Sequence, residues 1–379
     1  MKHYDVVIAG GGPAGSSAAK VLAGYGLKTL ILDKAVFPRS KPCAGLFTGK
    51  TAFILEKAFH FSANELMAAG IINHASDGYA CYYRNRLLAK GKHSEPFYFV
   101  DRLVFDDFLL KEAVKAGAEV LCDHRVTEVT TDHKTISVQA GDKTFKANYL
   151  IAADGVNSLV RRRCFPQDKK NPAFGLAATL EIVLSRRELL WPDNFPSIYL
   201  ATAVQGYSWV FPHRHKIIIG IGGPVELVPD LRQNFNDFLH SINLGQLTIY
   251  PAKGHLLPYG NYRLHPVKDH IMLTGDAGGF ADPLLGEGIY HALRTGTAAA
   301  RAISDDIDKP GALENSYLSV LGRDIYPEMI HAERIRKFVH SSLGLAAIRL
   351  LKPFLLTPAL QAIHGRRSYH HLKRRPWIF

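Results

Sequence analysis

Residues 4–34 read YDVVIAGGGPAGSSAAKVLAGYGLKTLILDK, and this stretch decides the fold that the sequence predicts. The run from Tyr4 to Ala9 is apolar and rich in β-branched residues, as in a buried parallel strand. Gly10, Gly12 and Gly15 follow with the G-x-G-x-x-G spacing, and small apolar residues then continue as a helix. A strand, a glycine turn and a helix in this order are typical of a dinucleotide-binding unit.

Each glycine of this turn has its own physical reason. Gly10 permits the tight turn, Gly12 lets the backbone approach a pyrophosphate, and Gly15 lets the helix pack closely on the strand. The helix N-terminus offers free N–H groups and a positive dipole end to the phosphates. A second predicted strand, residues 29–32, ends at Asp33, which stands 18 residues after Gly15. At that distance a carboxylate can accept hydrogen bonds from an adenosine ribose.

The composition of the 379-residue chain, 47% hydrophobic and 21% charged, is that of a soluble globular protein with two or three lobes. No uninterrupted apolar run reaches the ~20 residues of a membrane span, so we expect a cytoplasmic protein without a transmembrane helix. Cys43, Cys81, Cys122 and Cys164 lie far apart and form no C-x-x-C pair. This spacing predicts reduced thiols and no metal site.

The formal net charge of +12 raises the question of an acidic partner. Part of the excess lies near the C-terminus, in Arg366, Arg367, Lys373, Arg374 and Arg375. No nucleic-acid-binding motif accompanies these residues, so we expect no nucleic acid partner. We interpret them as a solvated basic tail, with contact to an anionic membrane surface or an acidic protein as the alternative.

The remaining patterns predict two interleaved domains. We assign residues 1–75, 101–165 and 266–310 to the nucleotide-binding domain, residues 76–100 and 166–265 to a second, antiparallel sheet that holds the substrate, and residues 311–379 to a helical C-terminal region. Local periodicity predicts a helix over residues 51–69, short strands at 79–88 and 97–100, and a meander over 126–147 followed by a separate strand at 149–153.

Four motifs in this order carry a family resemblance: the glycine turn with Asp33, the Arg102–Asp106 helix start, Asp154-Gly155 with Arg161, and Gly275-Asp276 with Gly286 and Gly288. The combination resembles FAD-dependent proteins of the p-hydroxybenzoate-hydroxylase-like fold. It implies an α/β fold with a Rossmann-like FAD-binding domain and an antiparallel substrate domain. The cofactor-binding residues that it implies are Gly10, Gly12, Pro13, Ala14, Gly15, Asp33, Lys34, Cys43, Ala44, Arg102, Val126, Asp154, Gly155, Gly275, Asp276, Pro283, Gly286, Gly288 and Ile289.

Two of these assignments keep an alternative. Asp154 is either a cofactor contact or the cap of the helix that follows it. Arg161 is either a ligand-binding residue or one half of a structural ion pair. Asp276, by contrast, follows a predicted strand and can accept from a ribityl hydroxyl, with glycine N–H groups beside it at a helix start.

Within this fold, two segments are similar to the geranylgeranyl reductases. Residues 207–222, YSWVFPHRHKIIIGIG, match the Y-x-W-x-F-P-x(7)-G-x-G pattern, and KPCAGL at residues 41–46 is similar to the P-C-G-G region, with Ala44 where those reductases commonly have glycine. The resemblance implies that NAD(P)H or a ferredoxin-like donor reduces FAD. Flavin N5 then gives hydride to a C=C bond of an isoprenoid or another apolar substrate.

The same resemblance suggests catalytic residues. Cys43 is a candidate proton donor or gate, and the alternative is a small buried thiol. Tyr207 and Trp209 share one strand face, continued by Phe211, and are candidate walls of an apolar channel, the alternative being ordinary core packing. His213 and the neighbouring His215 are interpreted as solvated residues of a hairpin turn.

Two rival functions stay open. A flavin monooxygenase on the same scaffold would hydroxylate an aromatic, such as a free or peptide-bound indole, through a C4a-hydroperoxyflavin. A non-catalytic flavin-bearing partner or assembly factor would dock through the basic tail. The apolar segment 339–363, which is interrupted by charges and prolines, is predicted to pack on the second sheet, to cap a lipid tunnel or to lie on a membrane surface.

Overall fold

Two eight-stranded sheets with helices packed on them form the framework of the protein. The computed structural model describes residues 2–132, 135–166, 175–341, 343–344 and 357–369. The strands are β1 (His3–Ala9), β2 (Thr29–Leu32), β3 (Leu46–Phe47), β4 (Ile72–Tyr83), β5 (Arg86–Val100), β6 (Glu119–Leu121), β7 (Val126–Asp132), β8 (Thr135–Ala140), β9 (Lys143–Ala152), β10 (Leu176–Ser185), β11 (Ser197–Leu200), β12 (Tyr207–Pro212), β13 (Lys216–Pro224), β14 (Lys253–Pro258), β15 (Val267–Lys268) and β16 (Ile271–Leu273). The helices are α1 (Pro13–Gly24), α2 (Gly49–Phe59), α3 (Ala63–Ala68), α4 (Arg102–Lys115), α5 (Leu159–Cys164), α6 (Leu231–Ser241), α7 (Ile289–Asp308), α8 (Leu313–Val320) and α9 (Tyr326–Val339). Short 3-10 turns occupy Gly245–Ile249 and Gly275–Gly278.

The first sheet runs in the order β15-β16-β9-β1-β2-β6, with β7 and β8 beside β9. Its centre is β1, which pairs in parallel with both β2 and β9. Val6 and Ile8 face the buried layer of α1 and α7, whereas Val7 and Ala9 face the layer of β8 and α5. Because both faces are covered, the strand sequence is continuously apolar. The parallel sheet confirms the predicted α/β fold.

The second sheet runs in the order β14-β10-β13-β12-β11-β4-β5-β3 and is antiparallel except between β11 and β4. One face carries Val210, Ile217 and Ile219, and helix α6 covers it. The opposite face carries the aromatic residues of β12 and β5. We call that side the aromatic face and define it by Tyr79, Phe97, Phe99, Tyr207, Trp209 and Phe211.

The predicted helix over residues 51–69 is wrong, because the chain forms two helices there. His60 ends α2 in the left-handed conformation at φ 64°. Ser62 then caps α3, and its own backbone N–H donates to Glu65 in a capping box. The signal was present in the sequence, since Ser62 stands three residues before Glu65.

The strands predicted at residues 79–88 and 97–100 are instead one long hairpin of β4 and β5. Its turn consists of Arg84 and Asn85, both with positive φ, which suits a two-residue hairpin turn. The separate strand predicted at 149–153 is also wrong. Strand β9 is continuous, pairing with β8 at its start and with β1 further along.

The C-terminal segment reaches the aromatic face. Residues 357–363 are helical, and Leu360 and Ile363 pack against Trp209 and its neighbours. Arg366 pairs with Glu95 of β5. The other predicted tail residues, Lys373, Arg374 and Arg375, and much of segment 339–363 lie outside the described residues. Within the described ranges, no helix is long and apolar enough to cross a membrane.

Candidate active site

The glycine turn after β1 contains two kinds of glycine: those that the fold requires and one that leaves space for a ligand. A Cβ atom on Gly10 would lie 2.3 Å from the Ala153 carbonyl oxygen, and one on Gly15 would lie 1.8 Å from the Gly10 oxygen. The fold itself therefore requires these two glycines. A Cβ on Gly12 would meet only the Arg39 guanidinium, at 3.4 Å. The absence of a side chain at Gly12 thus leaves an open approach to the N-terminus of α1.

Asp33 lies at the end of β2 beside this turn. The Gly11 N–H donates to Oδ2 at 2.7 Å, and the Ala35 N–H donates to Oδ1 at 2.8 Å. Each carboxylate oxygen keeps a second lone pair, so a ribose hydroxyl can still donate to Asp33. Lys34, which follows, is exposed. The His124 N–H donates to the Asp33 carbonyl, which brings the start of β7 near this end of the site.

Arg102 begins α4 and is buried. Its guanidinium donates two hydrogen bonds of 2.7 Å to the fully buried Asp106. Arg39 reaches the same carboxylate at 3.1 Å. Burial opposes the charge of Arg102, but the Asp106 carboxylate overcomes this effect and raises the pKa of Arg102. Asp106 thereby holds two cations, of which Arg39 lies beside Gly12. Arg39 was not predicted as a site residue, although its place in a Pro-rich loop after Asp33 was a usable signal.

Asp276 lies in the turn Gly275–Gly278 that follows β16. Lys41 Nζ is 3.1 Å from its Oδ2, and Gly288 at the start of α7 is adjacent, since its Cβ would be 3.5 Å from Oδ1. Burial would raise the pKa of Asp276, but Lys41 holds it below the ordinary value. His255 on β14 interacts with both residues, and burial lowers its pKa to about 4. An anionic acceptor thus stands among a lysine, a neutral histidine and a helix N-terminus.

Asp154 lies next to Gly10 and caps α5. Its Oδ2 accepts from the Leu159 N–H at 2.7 Å, whereas its buried Oδ1 has no partner in the described part of the chain. Burial raises the pKa of Asp154. The capping role is therefore present, and one oxygen remains for a ligand. Arg161 donates to the backbone carbonyls of Val156 and Ala277, which ties α5 to the Asp276 turn.

Most of the predicted cofactor-binding residues lie in two groups. One group lies around the N-terminus of α1 and comprises Gly10, Gly12, Pro13, Ala14, Gly15, Asp33, Asp154 and Gly155, and the other lies around the start of α7 and comprises Gly275, Asp276, Gly286, Gly288 and Ile289. Pro283 lies in the turn between Asp282 and Gly286, whose N–H donates to the Asp282 carbonyl. Val126 packs in the buried core beside Ala140.

The loop at residues 41–46 brings Cys43 to the second sheet. The Cys43 backbone N–H donates to Glu181 Oε1 at 2.8 Å, and the Gly45 N–H donates to Cys43 Sγ at 3.4 Å. An electrostatic interaction with Cys43 also contributes to the raised pKa of Arg102. A Cβ on Gly45 would lie 2.1 Å from the Val100 carbonyl, so the turn at φ 71° requires glycine. The loop thus presents Cys43 between the two domains.

Tyr207, Trp209 and Phe211 project from the same face of β12. Their ring centroids are 5.8 Å and 6.2 Å apart in succession. A Cβ on Gly220 would lie 2.3 Å from Trp209 Cζ2, so the indole occupies the space that this glycine leaves. The Tyr207 hydroxyl donates to the Leu285 carbonyl beside Gly286. The size of the Trp209 ring thus explains the glycine at residue 220, whereas a Cβ on Gly222 would first meet Thr179 Cγ2 at 3.1 Å.

The interpretation of His213 as a solvated turn residue is wrong. His213 is buried, and its ring nitrogens lie 3.0 Å from the Ala44 carbonyl oxygen and 3.2 Å from Asn73 Oδ1. Burial lowers its pKa to about 4. The turn is one residue later, at Arg214 and the exposed His215. His213 thus fixes the 41–46 loop to the end of β12.

These side chains fit FAD. Gly12 leaves room for a pyrophosphate, the first-turn N–H groups of α1 face that space, and one buried oxygen of Asp154 lacks a partner. Asp276 is an acceptor near the second helix N-terminus, where a ribityl hydroxyl would fit. Among the described residues, no cluster of histidine, cysteine or carboxylate side chains could hold a metal ion.

Comparisons with known proteins agree with this donor set. The FAD binding domain family matches residues 3–215, more than half of the chain. An uncharacterised protein of Methanosarcina barkeri is 33% identical over 91% of this chain and 86% of its own length. The digeranylgeranylglycerophospholipid reductase of Methanococcus vannielii is 29% identical over 81% of this chain and 78% of its own.

Solved structures share the fold at lower identity. A geranylgeranyl bacteriochlorophyll reductase-like protein of Thermoplasma acidophilum has a TM-score of 0.78 and 21% identity, covering 98% of this chain and 94% of its own. A probable FAD-dependent monooxygenase from Pseudomonas aeruginosa has a TM-score of 0.72 and 19% identity, covering 92% and 99%. The family match over residues 3–215 shows that the chain belongs to the FAD binding domain family, and its reductase relatives and the shared fold indicate a FAD-dependent oxidoreductase.

Proposed function

We propose that this protein reduces C=C bonds of an isoprenoid or another apolar chain. The observation that carries the proposal is the position of the aromatic face. The Tyr207 hydroxyl contacts the loop that leads into α7. On β10, the strand next to β13, Glu181 accepts from the backbone N–H of Cys43 in the loop at residues 41–46. An apolar wall therefore adjoins both loops expected near the cofactor. The name of the Methanococcus vannielii relative, a reductase of a geranylgeranyl lipid, supports the same substrate class.

When bound and reduced, FAD would supply a hydride to one carbon of the double bond. The chain has three tasks in this reaction. Trp209 and Phe211 would orient an apolar chain and exclude water from it. Cys43 would hold a proton for the second carbon, with Arg102 beside the sulfur to favour the thiolate that remains. We propose NAD(P)H or a ferredoxin-like protein as the electron donor.

The test is product analysis with the reduced, FAD-loaded protein and a prenyl alkene under nitrogen. We expect the product to gain two hydrogen atoms for each double bond reduced, as measured by mass spectrometry. Trp209→Ala should lower kcat/KM for a long chain while flavin content stays unchanged. Ser208→Ala is the matched control, since Ser208 faces the other side of β12 and donates to Thr202 at 2.8 Å.

The second candidate function is aromatic hydroxylation. It is supported by the fold shared with the Pseudomonas aeruginosa monooxygenase and by Ala44 in place of the glycine common in the reductases. The same protein incubated with indole, oxygen and a reductant would then yield a product that gains one oxygen atom. That product, without any saturated alkene under nitrogen, would reject the reductase proposal.

The contact of the basic C-terminus with a membrane surface or an acidic protein stays a prediction. Arg366 already pairs with Glu95, and Arg367 donates to the Gln361 side chain. The Arg366 bond favours a role of this arginine in fastening residues 357–369 to the second sheet, whereas the Arg367 bond stays within that segment. Co-sedimentation with anionic vesicles, compared with neutral vesicles, tests the membrane contact.

A further inference from the structure

A buried carboxyl group lies on the aromatic face at the centre of the candidate site. Glu181 is the charged residue of β10, a strand that reads LAATL before it and IVLS after it. It pairs with Gly220 of β13, which in turn pairs with Trp209 of β12. Directly paired residues point to the same side of an antiparallel sheet. Glu181, 4% exposed, is therefore on the substrate side rather than in the core beneath it.

The contact of Glu181 with Cys43 is direct. Glu181 Oε1 accepts from the Cys43 N–H at 2.8 Å. In any side-chain rotamer, a cysteine sulfur lies about 3–4 Å from its own backbone nitrogen. The carboxyl is thus within reach of the thiol directly or through one water. Arg102 interacts with both groups, so a negative charge on either one is stabilised in place.

We propose that Glu181 is the acid that returns a proton to the Cys43 thiol during alkene reduction, an inference that rests on the proposed function. The alkene receives hydride from reduced FAD at one carbon, and its other carbon takes the proton as the S–H bond of Cys43 breaks. The Glu181 O–H bond then breaks, and its proton converts the thiolate back to a thiol. The carboxylate finally takes up a proton from water, which leaves a saturated product and oxidised FAD.

The surroundings of Glu181 suit this task. Burial raises its pKa to about 7, although the Cys43 N–H bond and three cations oppose the shift. Those cations are Lys216 on β13, Lys253 on β14 and Arg102 on α4. An acid whose pKa is near neutral can both give and regain a proton at the same pH, which an ordinary exposed glutamate cannot do well.

The first test is the pH profile of multiple-turnover alkene reduction by the FAD-loaded protein with excess reductant, because Glu181 acts only after the Cys43 thiol has given up its proton. Glu181→Gln keeps an oxygen that can accept from the Cys43 N–H but has no proton to give. We expect the wild-type rate to decline above pH 7. The variant should be about a hundredfold slower and show no such inflection. Glu188→Gln is the control, because Glu188 is exposed in the loop after β10 and should leave the profile unchanged.

The second test does not depend on activity. The alkylation rate of Cys43 by iodoacetamide is measured against pH in the FAD-loaded protein, with the modified residue assigned by peptide mass spectrometry. Ionisation of Glu181 beside the thiol should produce an inflection near pH 7 that Glu181→Gln removes. If Glu181→Gln does not fold, Glu181→Asp replaces it and should shift the inflection.

The two tests separate two failures. If no prenyl alkene is reduced but the alkylation inflection is present and depends on Glu181, the proposed function fails and the coupling of the two groups stands. If wild-type Cys43 shows no inflection, or Glu181→Gln reduces the alkene with the wild-type profile, the proton-relay role is rejected. A purely structural Glu181 would lower flavin content or stability without changing either pH profile.

Discussion

The fit between Trp209 and Gly220 allows a quantitative prediction for Gly220→Ala. The added methyl would lie 2.3 Å and 2.5 Å from two carbons of the indole and 2.9 Å from the Leu180 carbonyl oxygen. Overpacking of this kind costs about 1–3 kcal/mol. Replacing a glycine also restricts the unfolded chain, which offsets roughly 0.4–1 kcal/mol. We therefore expect a net destabilisation of about 1–2 kcal/mol.

The origin of this loss is tested with Trp209→Phe, which removes the two indole carbons that the new methyl would meet. Four FAD-loaded proteins form the cycle: wild type, each single variant and the double variant. Thermal unfolding followed by circular dichroism gives the free energies. The double variant should be more stable than the sum of the single effects predicts, by at least ~1 kcal/mol.

Gly222→Ala is the matched control in the same cycle. A Cβ there would first meet Thr179 Cγ2 at 3.1 Å and reach Trp209 only at 3.6 Å. Its coupling to Trp209→Phe should therefore be small. If Gly220→Ala destabilises the protein equally with tryptophan and phenylalanine at residue 209, the indole is not the reason for the glycine. The size of the Trp209 ring would then not account for Gly220.

Three further predictions concern the cofactor turn and two buried polar groups. Gly12→Ala should change the stability of the flavin-free protein by no more than ~0.5 kcal/mol but weaken FAD binding about tenfold, as measured by calorimetric titration. Gly15→Ala should not fold, because its Cβ would lie 1.8 Å from the Gly10 oxygen. Equal effects of the two variants would contradict the distinction between a glycine that the ligand needs and one that the fold needs. Burial lowers the pKa of His213 from 6.5 to about 4, so its contribution to the free energy of unfolding is complete above pH 6.5. About 3 kcal/mol of stability should be lost as the pH decreases from 6.5 to 4. His213→Gln should flatten this part of the plot of unfolding free energy against pH, and an unchanged plot would refute the assignment. Lys50→Met should lower the free energy of unfolding by about 3–5 kcal/mol, because it leaves the buried Glu287 carboxylate, 2.7 Å from Lys50 Nζ, without its cation. Adding Glu287→Leu should recover most of this stability, and no recovery would show that the unpaired charge is not the cause.

Much of the nucleotide-binding part could be predicted from residue order because its constraints are local. A glycine turn between a buried strand and a small-residue helix depends on neighbours within about 30 residues, and that spacing is visible in the sequence. The same holds for the alternation of Tyr207, Trp209 and Phe211, since a strand period of two fixes which residues share a face. Local signals of this kind led to the predicted α/β fold and to the shared face of β12.

The residues that escaped prediction are those whose role depends on distant partners. His213 looked like part of a turn because Arg214 and His215 follow it, yet Ala44, far away in the chain, makes it a buried residue. Arg39 belongs to the site because it pairs with Asp106, 67 residues away, and Glu181 because it accepts from Cys43, 138 residues away. No local periodicity reports such pairs. Only the charge of Glu181 inside an apolar strand gave a hint, because an unpaired buried carboxylate is costly.

The shared scaffold explains why the reaction must be argued from particular side chains. Alkene reduction needs an acid near the substrate, whereas hydroxylation needs a dry pocket for an aromatic ring and no such acid. The glycine turn and the Asp276 turn would serve either reaction, because they would hold only the cofactor. Cys43, linked to Glu181 and Arg102, is the feature that one reaction would use and the other would not. The pH dependence of alkene reduction, compared between the wild type and Glu181→Gln, is therefore the most direct measure of which chemistry the chain performs.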